Sequence, residues 1–165
     1  MFALNKSDGS VIWNHFYTGF SWPDPALSPL LVKNNLVYTK IFEQNKVIAL
    51  YPETGATKWS WVNNVPGAIR WEPTIDGSNL YFLMLQNEQP YYNLVCLNAV
   101  TGHLYYKRPM NYSYYKNFTT CGSYSYLFQN GIVQNVSEKL YKFSNLTGKA
   151  IDSTTIPFGD ISVVF

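Results

Sequence analysis

An all-β chain assembled from a repeated four-stranded unit is the fold class this sequence predicts, on three observations. Aromatic residues supply 18% of the 165 residues and charged ones only 13%, a balance that suits strands with aromatic-lined packing better than charged surface helices. A glycine-centred hairpin recurs at steps of about 46, 47 and 46 residues. A second pair of β-rich runs lies upstream of each later copy, so each period holds four strands.

The recurring segments run from Ala3 through Gly9 to Trp13, from Ala49 through Gly55 to Trp59, from Cys96 through Gly102 to Tyr106, and from Lys142 through Gly148 to Asp152. Each is a short apolar run, a polar turn whose glycine takes the positive φ of the return, and a second run. Upstream, Pro29 to Tyr38 matches Pro73 to Phe82, with Tyr126 to Gln134 as a third copy. Asn34-Asn35 and Asp76-Gly77-Ser78-Asn79 are the residues that tight hairpin turns favour.

The pattern Ala-x-x-x-x-Thr-Gly-x-x-x-Trp, complete from Ala49 to Trp59, resembles the tryptophan-docking repeat of PQQ-like propellers, a group that includes quinoprotein dehydrogenases and non-enzymatic relatives. The resemblance covers nearly the whole chain. Along the series Trp becomes Tyr106 and then Asp152, and Thr becomes Asp8 in the first copy. It implies an incomplete β-propeller of about 3.5 four-stranded antiparallel blades: residues 1–20 end one blade, 21–66, 67–113 and 114–159 are blades, and 160–165 start a further strand. It also implies that Trp13 and Trp59, with Gly9, Gly55, Gly102 and Gly148, dock blade against blade.

Propellers close rings of typically 4–8 blades. An open arc leaves apolar faces uncovered, so the expectation is a fragment of a longer protein or an arc whose remaining blades come from a second chain. No apolar run reaches the length of a spanning helix, and the N-terminus lacks the succession of a signal peptide. A net charge of +2 without a basic cluster argues against nucleic acid as a partner.

Ligands of propellers sit on the face made by the blade-to-blade connectors and the central hairpin loops. The connectors are read as Asn14 to Ser28, Ser60 to Glu72 and Lys107 to Thr120, with smaller loops at Glu43 to Asn45 and Gln86 to Tyr91. Arg70-Trp71-Glu72 puts a fork of donors, an aromatic face and a carboxylate together, either for binding or as an ion pair beside a packed Trp. Trp22 and Asp24 occupy a comparable place in the first connector. Tyr112, Tyr114, Tyr115 and Lys116 in the third offer amphipathic rings suited to a binding surface or to a blade boundary.

The sequence offers no candidate catalytic residue and no metal ligands. His15 and His103 have no acidic or nucleophilic companion nearby and read as surface or turn residues. Cys96 and Cys121 are far apart and match no metal or redox spacing. Buried thiols are the first reading and a disulfide the second. A quinoprotein dehydrogenase would hold PQQ and Ca²⁺ at the axis with a carboxylate base. No such set is present, and the vicinal cysteines found in several of those enzymes are absent.

The expected function is thus a non-catalytic scaffold without cofactor that binds protein or carbohydrate. The alternative is part of a PQQ-dependent dehydrogenase that oxidises alcohols or sugars. Sequons at Asn5, Asn111, Asn117, Asn135 and Asn145 lean toward an extracytoplasmic or secretory location, with Asn111 and Asn117 as acceptors.

Overall fold

A computed structural model of the chain describes residues 1–15, 30–41, 45–65, 67–86, 92–110, 115–129 and 138–156. Among them there are fourteen strands and no helix. A hairpin, β1 (Phe2–Leu4) and β2 (Val11–Asn14), is followed by three four-stranded sheets. The first contains β3 (Leu31–Lys33), β4 (Leu36–Ile41), β5 (Lys46–Leu50) and β6 (Thr57–Val62). The second contains β7 (Gly67–Asp76), β8 (Asn79–Gln86), β9 (Tyr92–Asn98) and β10 (Leu104–Met110). The third contains β11 (Tyr115–Cys121), β12 (Tyr124–Gln129), β13 (Glu138–Ser144) and β14 (Ala150–Ile156). Within every sheet the strands pair antiparallel in chain order, as propeller blades do. The segment 160–165, expected to begin a further strand, lies outside the described residues.

Sequence explains which strands are central. Leu80 to Met84 in β8 and Tyr92 to Leu97 in β9 are uninterrupted buried stretches, the pattern of strands covered on both faces. Their two faces feed different cores. Leu80, Phe82, Met84, Val95 and Leu97 pack backward against Tyr38, Val47, Ala49 and Trp59 of the preceding blade. Tyr81, Leu83, Leu94, Cys96 and Tyr106 pack forward against Leu127, Tyr141 and Phe143 of the next. A third cluster joins Val37, Ile48 and Leu50 to Met1 and Trp13 of the first hairpin. The apolar cores therefore lie between blades, and each fully buried side chain of this size contributes about 1.5–3 kcal/mol to holding neighbours together.

Inner strands are marked by their neighbours. β7 touches β11 on one side and β3 and β4 on the other. Thr74 and Thr120 hydroxyls meet across the β7–β11 boundary at 3.5 Å, and Lys40 Nζ of β4 donates to the Ile69 carbonyl of β7 at 3.3 Å. β3, β7 and β11 are thus the first strands of their blades and line the inside of the arc. Because strands alternate in direction, first–second and third–fourth turns share one end of each blade. Connectors and second–third loops share the other.

One backbone irregularity recurs in every unit. The pairing of third and fourth strands slips by one residue between Ala3 and Leu4, between Ala49 and Leu50, between Leu104 and Tyr106, and between Lys142 and Phe143. The extra residue is Ile12, Lys58, Tyr105 or Ile151, directly before Trp13, Trp59, Tyr106 or Asp152. A bulge bends its strand and re-aims the side chain that follows. The aromatic of the repeat is thereby turned toward the next blade.

Candidate functional site

The best-defined constellation is the joint between blades. Trp13 Nε1 donates to the Pro52 carbonyl at 2.7 Å, and Trp59 Nε1 to the Ala99 carbonyl at 2.9 Å. Tyr106 Oη donates to the Asn145 carbonyl at 3.2 Å. In each joint the ring lies on the glycine three residues further along the turn. A Cβ built on Gly55 would stand 2.6 Å from Trp13 Cδ2, and one on Gly102 2.7 Å from Trp59 Cδ2. On Gly148 it would run into the Tyr106 ring and, at 2.8 Å, Arg108 Cγ. With φ of +70°, +75° and +65°, these glycines answer two demands at once: a left-handed backbone and room for a ring.

His15 belongs to this joint as well. Its Nε2 lies 2.6 Å from the Gly55 carbonyl, and its ring is 5.4 Å from that of Trp13. This corrects the reading of His15 as a surface or turn residue; strand β2 carries it onto the next blade beside Trp13. His103 is exposed in a turn against Tyr105. Where Trp gives way to Tyr106, Arg108 adds a second arm, with Nε donating to the Thr147 carbonyl at 2.9 Å.

The connector face is built differently from its expectation. β6 extends to Val62 and β7 begins at Gly67, so Arg70, Trp71 and Glu72 lie within the innermost strand and not in a connector. Pairing of β7 with β8 jumps from Arg70↔Leu83 to Thr74↔Tyr81, leaving Trp71, Glu72 and Pro73 opposite Phe82 alone. Pro73 has no N–H for the ladder, which accounts for an interruption there. Likewise β10 runs to Met110 and β11 starts at Tyr115, which shortens the third connector. Trp22, Asp24, Asn111, Tyr112 and Tyr114 lie outside the described residues.

Two asparagines that sequence reading passed over clasp this face. Asn63 N–H donates to the Asn45 carbonyl at 3.0 Å, and Asn63 Nδ2 to the Val65 carbonyl at 2.8 Å. Asn45, left-handed with φ of +45°, sends Nδ2 to the carbonyls of Asn63 and Val65 at 3.4 and 3.3 Å. The second–third loop is thereby tied to the connector that feeds β7. Asn in a turn is too general a signal to mark such a clasp in advance.

At the opposite end, Asn34 Nδ2 donates to the Gly77 carbonyl of the next blade at 3.0 Å. Asn145, buried, accepts from Ser125 Oγ and donates to the Gly122 carbonyl at 2.9 Å and to Asp76 Oδ2 at 3.5 Å. Its amide is thus engaged in packing.

The cysteines are both free; Cys96 is buried and Cys121 exposed. The expectation of a buried thiol is therefore corrected for Cys121, which ends β11 at the open Gly122 turn. Burial pushes the Cys96 thiol up to about 12. Burial, with the neighbouring thiol next in size, also holds Tyr81 and Tyr106 above the ordinary phenol range. These groups stay protonated across the physiological range and act as packing. Among the described residues no three His, Cys, Asp or Glu side chains come together as a metal-holding group.

No protein-family model matches the chain, and no curated protein matches it in sequence. Solved structures do. A europium-containing methanol dehydrogenase superposes with a TM-score of 0.59 at 14% identity over 76% of this chain and 24% of its own. Quinohemoprotein alcohol dehydrogenases from Comamonas testosteroni and Pseudomonas putida HK5 give TM-scores of 0.56 and 0.55 at 13% and 14% identity, each over 76% of this chain and 20% of theirs. The chain spans a quarter or less of the length of these three dehydrogenases. Three four-stranded antiparallel blades and a leading hairpin, joined by aromatic-on-glycine contacts, give this chain the fold of an arc of a β-propeller, similar to part of the propellers of these dehydrogenases.

Proposed function

We propose that the chain is part of a non-catalytic propeller scaffold, and that it binds a protein or a carbohydrate at its bulged innermost strand β7. The observation that carries this reading is the bulge at Trp71, Glu72 and Pro73 on the innermost strand. Bulges re-aim side chains beside ligand sites, and Arg, Trp and Glu are residues that recognise polar and ring-bearing partners. The Asn45–Asn63 clasp supports the reading from below, since it stiffens the loop pair from which β7 starts. Trp22, Asp24, Tyr112 and Tyr114, outside the described residues, are proposed as further contacts for the same ligand. The remaining blades belong to the same polypeptide or to a second chain, and the sequons at Asn111 and Asn117 fit an extracytoplasmic or secretory protein.

A second reading, part of a PQQ-dependent dehydrogenase that oxidises alcohols or sugars, draws on the fold likeness to methanol and alcohol dehydrogenases. The two part in one experiment on the complete protein. Glycan and peptide arrays are probed with wild type and Trp71→Ala, and dye-linked oxidation is measured with added PQQ and Ca²⁺. The scaffold reading expects a retained ligand whose affinity falls about tenfold or more in the variant, no oxidation, and an unchanged unfolding midpoint. Oxidation of an alcohol or sugar supports the dehydrogenase instead. Loss of stability in Trp71→Ala makes the residue packing and removes the site.

A further inference from the structure

Two successive blades treat the same buried hydroxyl differently. On the face that each turns forward, directly opposed residues of the second, third and fourth strands form a row. The registers read Tyr38↔Ala49↔Trp59 in the first four-stranded blade and Tyr81↔Cys96↔Tyr106 in the second. All six side chains are buried, and both second-strand tyrosines, Tyr38 and Tyr81, are 0% exposed.

A buried phenol needs a hydrogen-bond partner, because leaving it unpaired costs more than a hydrogen bond returns. Tyr38 has one: its Oη donates to the Ala99 carbonyl at 3.2 Å, beside Trp59 Nε1 at 2.9 Å. One carbonyl oxygen, with two lone pairs, thus serves both donors of the row. The matching carbonyl for the second row is that of Asn145, which accepts from Tyr106 Oη at 3.2 Å. Tyr81 does not share it. Among the described residues, Tyr81 Oη has no hydrogen-bond partner.

The surroundings define what completes the bond. Cys96 lies opposite Tyr81 on one side and Tyr106 on the other, so a thiol stands between two phenols. Burial raises all three groups, and for both phenols the Cys96 thiol is the next influence, as befits one shared neighbourhood. Around them the walls are apolar. The Tyr81 ring packs 6.0 Å from that of Phe118, and Leu127, Tyr141 and Phe143 close the cluster.

A buried water needs about two to four polar partners. The Tyr81 hydroxyl, the Cys96 sulfur and the second lone pair of the Asn145 carbonyl supply that number. An ion fits less well: these groups are uncharged, they hold too few oxygens for a Ca²⁺-type cation, and no ammonium or guanidinium belongs to the cluster to meet an anion.

We infer that the joint between the second and third four-stranded blades is a binding site for one buried water, which accepts from the Tyr81 hydroxyl and donates to the Asn145 carbonyl and the Cys96 sulfur. The preceding joint is closed directly by Tyr38. The inference is independent of the ligand proposed for β7.

The test compares wild type, Tyr81→Phe and Tyr38→Phe in the complete protein. Oxygen-17 magnetic relaxation dispersion counts long-lived internal waters. Tyr81→Phe should hold one fewer than wild type, and Tyr38→Phe the same number. In urea unfolding, Tyr81→Phe should lower the folding equilibrium constant about threefold or more, the size of a lost hydrogen bond, whereas removing a truly unpaired hydroxyl leaves that constant unchanged or raises it. A high-resolution crystal structure of wild type, which needs no variant to fold, should show a water within hydrogen-bond distance of Tyr81 Oη. An equal water count in wild type and Tyr81→Phe overturns the inference. So does an undiminished stability of that variant, or a crystal in which Tyr81 Oη bonds directly to protein or has no water beside it.

Discussion

Replacing Gly102 by alanine separates the two reasons for a glycine in the repeat. The residue holds φ of +75°, and an added Cβ would lie 2.7 Å from Trp59 Cδ2 and Cε3, against about 3.5–4.0 Å for a favourable carbon contact. The left-handed backbone costs a non-glycine residue roughly 1–2 kcal/mol, and overpacking a well-fitted site costs about 1–3 kcal/mol more. Gly77, with φ of +58° and open space beyond it, carries only the first cost. In urea unfolding followed by tryptophan fluorescence, Gly102→Ala should thus lose about 2–5 kcal/mol and Gly77→Ala about 1–2 kcal/mol, at unchanged m. Equal losses would mean that the ring yields freely and that the Trp59–Gly102 joint adds nothing beyond turn geometry.

The Ala99 carbonyl accepts from both Tyr38 Oη at 3.2 Å and Trp59 Nε1 at 2.9 Å. Tyr38→Phe with Trp59→Phe should therefore cost about 1 kcal/mol more than the sum of the single changes, because only the double variant leaves that buried acceptor without a side-chain donor; additivity in a double-mutant cycle would refute the shared role. The Cys96 thiol is held at about 12, above its ordinary 9.0, so the unfolded chain loses that proton first. Its stabilising contribution is complete below pH 9 and declines above it by up to about 1.4 kcal/mol per pH unit, and Cys96→Val should flatten the urea midpoint between pH 9 and 11. Iodoacetamide at pH 8 should label Cys121 and spare Cys96 until the chain unfolds. Expressed through a secretory pathway, the protein should carry no glycan on Asn145, whose amide donates to Gly122 and Asp76, and peptide mapping after glycosidase treatment reads this directly.

The blade repeat was legible because three glycines must meet a ring and all four must turn the chain, so neither demand tolerates drift in spacing. Sequence reading placed Gly9, Gly55, Gly102 and Gly148 on turns, where each has a positive φ. The bulge ahead of Trp13, Trp59, Tyr106 and Asp152 was not legible. One extra residue leaves no mark in a run such as Thr57 to Val62, since either register keeps alternate side chains on one face until the partner strand is known. Aligning the repeated strand from Pro73 leaves Arg70, Trp71 and Glu72 in a connector; pairing on both sides of the bulge retains them in β7. His15 escaped notice for want of any local partner, its contact lying forty residues ahead on Gly55.

The joints also have a direction in time. Each ring reaches forward along the chain, across 39 or 40 residues, to a turn made later. At a synthesis rate of about 5–20 residues per second, a docking ring waits roughly 2–8 s for its turn to be made, and no joint needs anything further downstream. The arc is therefore wired for assembly from the N-terminus, one blade at a time, each new turn closing the joint behind it.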